Sequence, residues 1–205
     1  MGSILQSLNK TVAVGTLLAI LLIFLVTSHY GAFDQIYWAS LSRFLHVLTG
    51  TMWIGLLYYF NFVQIPNMPN IPDEQKPAIG KVIAPAALFW FRWAALATVI
   101  TGLSTLALYY GHEGAINALS LTLVYGFDGK QLTIGIGMWL ALIMAYNVWM
   151  IIWPNQKKAL GIVESDPETK AKSARTAMLF SRTNTMLSIP TVSYTHLRAH
   201  ETREE

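Results

Sequence analysis

LSRFLHVLTGTMWIGLLYYFNFV, residues 41–63, is an apolar run of membrane-crossing length that carries an arginine and a histidine. A bilayer core takes about 20 apolar residues as a helix. An arginine inside such a span costs ~2.5–3.5 kcal/mol on insertion scales, so Arg43 and His46 are expected to be used. Three further runs of this kind lie outward from it, at 11–28, 88–110 and 132–153. With 54% apolar residues and only 12% charged ones, four such runs leave no polar face for a soluble fold. The expected fold is an all-α polytopic transmembrane helix bundle, with four complete spans and the start of a fifth, in one domain covering 1–191.

The first run follows Lys10, as the apolar part of a signal peptide would. It is longer than that part, and Thr27-Ser28-His29-Tyr30 lacks a small-x-small cleavage pattern, so a retained helix is expected. The chain has no cysteine, which excludes disulfides, thiolate metal sites and a Cys-x-x-Cys-His haem attachment within these residues. No P-loop, GxSxG or HExxH is present, and no basic–aromatic surface points to nucleic acid.

Residues 192–205 break from what precedes them. Val192 to Thr202 reads as one frame of a sequencing-library transposon adapter, so the segment is expected to be read-through rather than native protein. His196 and His200, an apparent i, i+4 metal pair, are set aside with it. The gene is expected to continue past Thr191.

Loop charge gives the orientation. Lys10, Lys76, Lys81, Lys157, Lys158, Lys170, Lys172, Arg175 and Arg182 fall on one side of a four-span chain, and only Lys130 falls in the loops of the other. Basic loops stay cytoplasmic, so the N-terminus is expected inside. Residues 66–85 form a proline-punctuated loop with a short helix starting near Asp73. Asp166-Pro167-Glu168 is a helix start, with a capping acid, proline in the first turn and an acid at the positive dipole end. The helix it opens, about 166–181, is expected to be amphipathic and to lie on the anionic leaflet. Arg182 to Ile189 then begins the fifth span. Residues 115–125 are expected as a short surface helix on the outer side.

Arg43, His46, Gly50, Trp53 and Leu57 share one helix face. Gly50 one turn from an imidazole leaves room for a flat macrocycle, and Arg43 one turn outward can meet propionates. His46 is thus a candidate haem iron ligand, with Gly50 and Trp53 lining the site and Met138 or a residue beyond the chain as the second ligand. The alternative is that His46 only ties helices by a hydrogen bond while Arg43 reaches the headgroups. His29, His46 and His112 all fall toward the outer face, as a metal neighbourhood or as ordinary interfacial residues. Toward the inner side, Asn61, Gln64, Arg92, Tyr146 and Asn147 can bind a polar anion or can tie helices to one another and to lipid. Tyr and Trp pairs at the span ends form an aromatic belt. Gly135 and Gly137 are expected to permit close helix packing.

The stretch Tyr37 to Asn61, with its Arg-x-x-His-Val-x-x-Gly-x-x-Trp-Ile-Gly segment, resembles the N-terminal membrane domain of the cytochrome c-type urate oxidases. Phe91-Arg92-Trp93, Asn147 and Arg182-Thr183-Asn184-Thr185 are similar in placement, so the resemblance runs over about 37–190. It implies a bacterial inner-membrane protein concerned with oxidising urate to 5-hydroxyisourate, with a c-type cytochrome as electron partner. It also implies haem b near His46 and Arg43, and substrate contacts at Arg92 and Asn147. The chain departs from the pattern in its extra first helix, in having only four complete spans, and in lacking Cys-x-x-Cys-His. Two other roles fit the same residues: an electron-transfer or quinone-interacting subunit, and a structural or assembly subunit.

Overall fold

The computed structural model describes residues 2–30 and 33–197, and its regular elements are all helical. The chain divides into two compact units, Met1–Trp38 and Ala39–Glu205. The last residues of the adapter-like tail, 198–205, lie outside the described residues, as does the side chain of His29.

In the first unit a turn at Gly2–Leu5 leads into α1, Leu8–Tyr30. Its stretch Leu8–Thr27 has a mean hydropathy of 2.3 and leaves large side chains such as Leu17 and Phe24 exposed, as a lipid-facing helix does. Two hydroxyls in this helix are satisfied by its own backbone: Thr16 and Thr27 donate to the carbonyls of Val12 and Ile23, at 2.9 and 2.8 Å.

The second unit holds most of α2, Gln35–Tyr58, then α3, Ala84–Leu119, α4, Gly129–Tyr146, and α5, Pro167–Leu197. Aspartates start the helices the sequence marks. Asp128 accepts from the Lys130 and Gln131 amides at 2.8 and 3.0 Å, and Asp166 from the Thr169 amide at 2.8 Å. Hydrogen bonds from Thr169 hold the Asp166 carboxyl below its usual range. A depressed carboxylate stabilises above the unfolded value of about 3.9 and stops doing so as pH falls through its folded value. Acid is therefore expected to fray the start of α5 only below about pH 3.9, in far-UV circular dichroism. Asp166→Asn, which caps without titrating, should lose that step.

Three segments have wide π turns: Tyr59–Gln64 continuing α2, Ile79–Ile83 leading into α3, and Asn147–Ile152 continuing α4. Each is followed at its second residue by a proline, Pro66, Pro85 or Pro154. A proline ring clashes with the carbonyl four residues back and cannot donate to it. A wider turn just before the proline relieves both faults and lets the helix run on.

Three stretches are long and apolar enough to cross a membrane: Leu8–Thr27, Lys76–Leu119 and Gly129–Ala159. The third extends α4 through its π turn and the helix Trp153–Ala159. The helix carrying residues 41–63 is not one of the three. Ser42, Arg43, His46, Thr49 and Thr51 interrupt its apolar character. The supposed loop 66–85 is largely helical, with the helix leading into α3 resuming at Lys76, where Lys76 pairs with Asp73 at 2.6 Å. The amphipathic helix and the fifth-span entrance are one continuous helix, α5, which runs through Pro190 and packs on α4 rather than standing alone. Its buried side is Ser173, Ala177, Ser181, Asn184 and Ser188. That seam is too polar for lipid and is instead used inside the bundle.

Near the other end, α3 is broken at Gly111, whose φ of 65° a side chain would oppose. The helical turns after it overlap the first half of the surface helix expected at 115–125, and the rest is a turn. Gly135 is buried where a Cβ would overlap the Ala118 carbonyl, so the expected close packing at this glycine is present. The core lies between these ends: Trp53, Leu57 and Phe60 from the second helix, Leu88, Phe91 and Ala95 from α3, Met144, Val148 and Ile152 from the fourth, and Ala177 from α5.

Candidate functional site

Arg92 is buried in the bundle at 9% exposure. It enters from α3 one residue after Phe91, whose ring meets Phe60 edge-on at 5.8 Å. The guanidinium lies over the Trp153 ring, with Cζ 3.3 Å from the centroid. A desolvated contact of this kind contributes about 2 kcal/mol. It leaves the in-plane donors free, and Nε and Nη1 have no hydrogen-bond partner among the described residues.

Other buried polar atoms in this half of the unit are equally unpaired: Trp53 Nε1, Asn61 Oδ1, Gln64 Oε1, Trp149 Nε1 and Gln156 Oε1. They fall on two helix faces. Trp53, Leu57, Asn61 and Gln64 follow helical spacing along α2 and its π turn, and Trp149, Trp153 and Gln156 follow it along the fourth helix. Trp93, beside Arg92, meets Trp149 edge-on at 5.6 Å. Buried polar atoms are paired in the great majority of cases, so these unpaired ones set the two helix faces apart from the rest of the bundle.

One face of α5 fixes two of the three π turns, those continuing α2 and α4. Ser181 Oγ accepts from Asn61 Nδ2 at 2.8 Å, and Asn61 also donates to the Leu57 carbonyl at 2.9 Å. Asn184, fully buried, accepts from Asn147 Nδ2 at 2.8 Å and donates to the Met144 carbonyl at 3.0 Å. Ser188 lies 3.0 Å from the Tyr58 hydroxyl. The side-chain amide of Asn147 is thus held by Asn184, a structural partner. Asn184→Leu leaves the Asn147 amide unpaired in a dry core, and is expected to lower stability by about 1–3 kcal/mol in chemical unfolding. Reading the sequence singled out Arg92 and Asn147 but missed Ser181 and Ser188. Their spacing with Asn184, at 181, 184 and 188, was the available signal.

The histidine face is arranged differently. His46 is half-buried, with Nδ1 2.9 Å from the Thr98 carbonyl and 3.4 Å from Thr101 Oγ1. Its ring edge fills the notch at Gly102, where a Cβ would stand 2.8 Å from Cε1. Bonding to a carbonyl makes Nδ1 the protonated nitrogen and leaves Nε2 a lone pair, as a metal-binding imidazole requires. The space for a macrocycle is another matter. A Cβ on Gly50 would touch the Thr98 methyl at an ordinary 3.7 Å, so α3 closes over this glycine. Trp53 is buried at 2% exposure in the core, and Arg43 is exposed, with Cζ 5.4 Å from the Tyr109 ring centroid. As packed, Arg43, His46, Gly50 and Trp53 do not fit a haem between them. His46 acts here as a tie between α2 and α3. His112 is exposed, and no group of three metal-ligating side chains comes together among the described residues.

The comparison with known families falls on the other part of the chain. Residues 112–200 match the urate oxidase N-terminal family. The resemblance read from the sequence is thereby borne out, over α4, its π turn and α5. Asn147, Trp149, Trp153, Gln156 and the Ser181–Asn184–Ser188 face lie inside the urate oxidase N-terminal match. Arg43, His46, Asn61 and Arg92, and the segment 37–61 that first carried the resemblance, lie before it. No curated protein and no solved structure matches the chain.

Proposed function

We propose that this chain is a multi-pass inner-membrane module that binds urate or a closely related planar anion at Arg92, as part of a cytochrome c-linked urate oxidation. The observation that carries the reading is the buried Arg92 guanidinium, stacked on Trp153 with Nε and Nη1 unpaired. A lone cation costs least in lipid when an anion accompanies it. The unpaired amide oxygens and indole N–H groups of the same bundle would suit a ligand whose edges carry both carbonyls and N–H groups. Urate oxidation to 5-hydroxyisourate consumes one water and releases two electrons and two protons. In this reading the electrons pass to a c-type cytochrome outside the described residues, and Arg92 and its neighbours orient the anion and exclude bulk water.

The same proposal places the N-terminus in the cytoplasm, with α2 as a fourth crossing stabilised by its contacts with α3. Its Ser42 hydroxyl is satisfied there: it lies 2.9 Å from Thr105 Oγ1 and donates to the Thr101 carbonyl at 3.1 Å. Because the chain has no cysteine, single-cysteine variants report topology directly. Lys10→Cys and Glu164→Cys should be blocked only by a membrane-permeant maleimide in intact cells, and Lys130→Cys by an impermeant one. The binding claim is tested by equilibrium dialysis of purified protein against urate, with allantoin and phosphate as comparisons. Equal retention of all three, or of none, removes it.

A structural role is favoured by one separate observation, the α5 hydrogen bonds that tie the π turns continuing α2 and α4. It predicts a protein that assembles with a partner yet retains no urate.

A further inference from the structure

Residues 119–127, Leu-Ser-Leu-Thr-Leu-Val-Tyr-Gly-Phe, join α3 to α4 without a single charge. The large side chains in this turn point away from the bundle: Leu123 is 87% exposed and Phe127 82%, and Leu121, Val124 and Tyr125 are exposed too. A connection between helices normally presents polar groups to water.

This turn is built rather than loose. Asn117, buried at 3% exposure, accepts from the Tyr125 amide at 3.0 Å and donates to the Gly126 carbonyl at 3.0 Å and to Gln131 Oε1 at 2.6 Å. The Asn117 carbonyl accepts from the Thr122 amide at 2.7 Å. Leu121 and Thr122 are held at φ of 53° and 66°, a conformation that non-glycine residues rarely adopt. Trp139 Nε1 donates to the Leu119 carbonyl at 2.9 Å, bracing the turn against α4. A pinned backbone thus displays an apolar tip.

We propose that this turn is an interfacial membrane anchor, with Leu123 and Phe127 set among the lipid headgroups and upper acyl chains. Its position names the occupant. It connects the ends of two stretches each long and apolar enough to cross a bilayer, so it emerges at the membrane surface. Its apolar tip continues the exposed apolar side of α4, through Ile136, Trp139 and Ile143, and the exposed Tyr109 and Tyr110 of α3. Aromatic and aliphatic groups at this depth are the usual interfacial set. The inference rests on the membrane reading alone and is independent of what Arg92 binds.

The test uses the full chain in vesicles of phosphatidylethanolamine and phosphatidylglycerol. Leu123→Cys and Phe127→Cys, both exposed and outside the core, are labelled with an environment-sensitive nitrobenzoxadiazole dye, with Glu164→Cys as the water-facing reference. Blue-shifted emission at both tip positions, quenched several-fold more by lipids carrying a shallow nitroxide than at Glu164→Cys, is the expected result. Emission resembling the reference and quenched by aqueous iodide overturns the proposal. A blue shift without quenching by nitroxide lipids also overturns it, since it reports contact with protein instead.

Discussion

Arg92→Met is expected to abolish urate binding and, at the same time, to make the ligand-free protein more stable. The two effects come from different sides of one ledger. A lone arginine in a span costs ~2.5–3.5 kcal/mol, and its stacking on Trp153 returns about 2. A methionine of similar length has no such cost, so the unfolding free energy should rise by an amount on the order of 1 kcal/mol, and the midpoint with it. Binding should fall by roughly 100-fold or more. Two hydrogen bonds from a charged donor contribute about 1.5–3 kcal/mol each, and a factor of ten corresponds to 1.4. Equilibrium dialysis and chemical unfolding of the same preparations read both quantities. Arg92→Lys keeps a cation without the planar fork, and should recover only part of the affinity. If Arg92 were a structural tie, its removal would destabilise the protein, so a lower midpoint for Arg92→Met counts against the site.

Gly135→Ala is expected to be strongly disruptive for so small a substitution. A Cβ there overlaps the carbonyl of Ala118, and that atom belongs to backbone pinned by the Asn117 bonds, so it cannot swing aside. Overpacking of this kind costs about 1–3 kcal/mol and sometimes more. Gly55→Ala is the matched control, since nothing lies within 4 Å of its added methyl. There the helix should gain about 0.5–1 kcal/mol from the better helix former. Thermal unfolding in one detergent separates the two, with opposite signs. Equal shifts at both positions would mean that helix propensity, not the close approach to Ala118, governs Gly135.

What could be read from the chain was what local chemistry dictates. Asp166 announced its helix because a carboxylate before a proline-led run has one favourable use, and Gly135 announced a close approach; the Asp128 cap was not read from the chain. Arg92 was visible because a charge in an apolar run is rare. The π turns were not visible as such, although their prolines were read as loop punctuation. A proline two residues past a wide turn looks the same in sequence as one that ends a helix, and only the neighbouring helices decide which occurs. The Ser181–Asn184–Ser188 face was hidden for a related reason. Serines and asparagines on a helix with Lys170, Lys172 and Arg175 suggest a wetted surface until a partner covers them. His46 shows the converse, because spacing places it on a face with Gly50 but does not tell whether a neighbouring helix fills that face.

Each wide turn also acts as a rotary offset. One extra residue in a helix advances everything beyond it by about 100° around the axis. Removing a single residue from Tyr59–Gln64 would therefore leave the rod nearly as long as before. It would also swing Gln64 and the rest of its end away from the side that Trp53 and Leu57 occupy. In this protein a one-residue deletion works like turning a screw, and the damage should appear at the far end of the helix rather than at the cut.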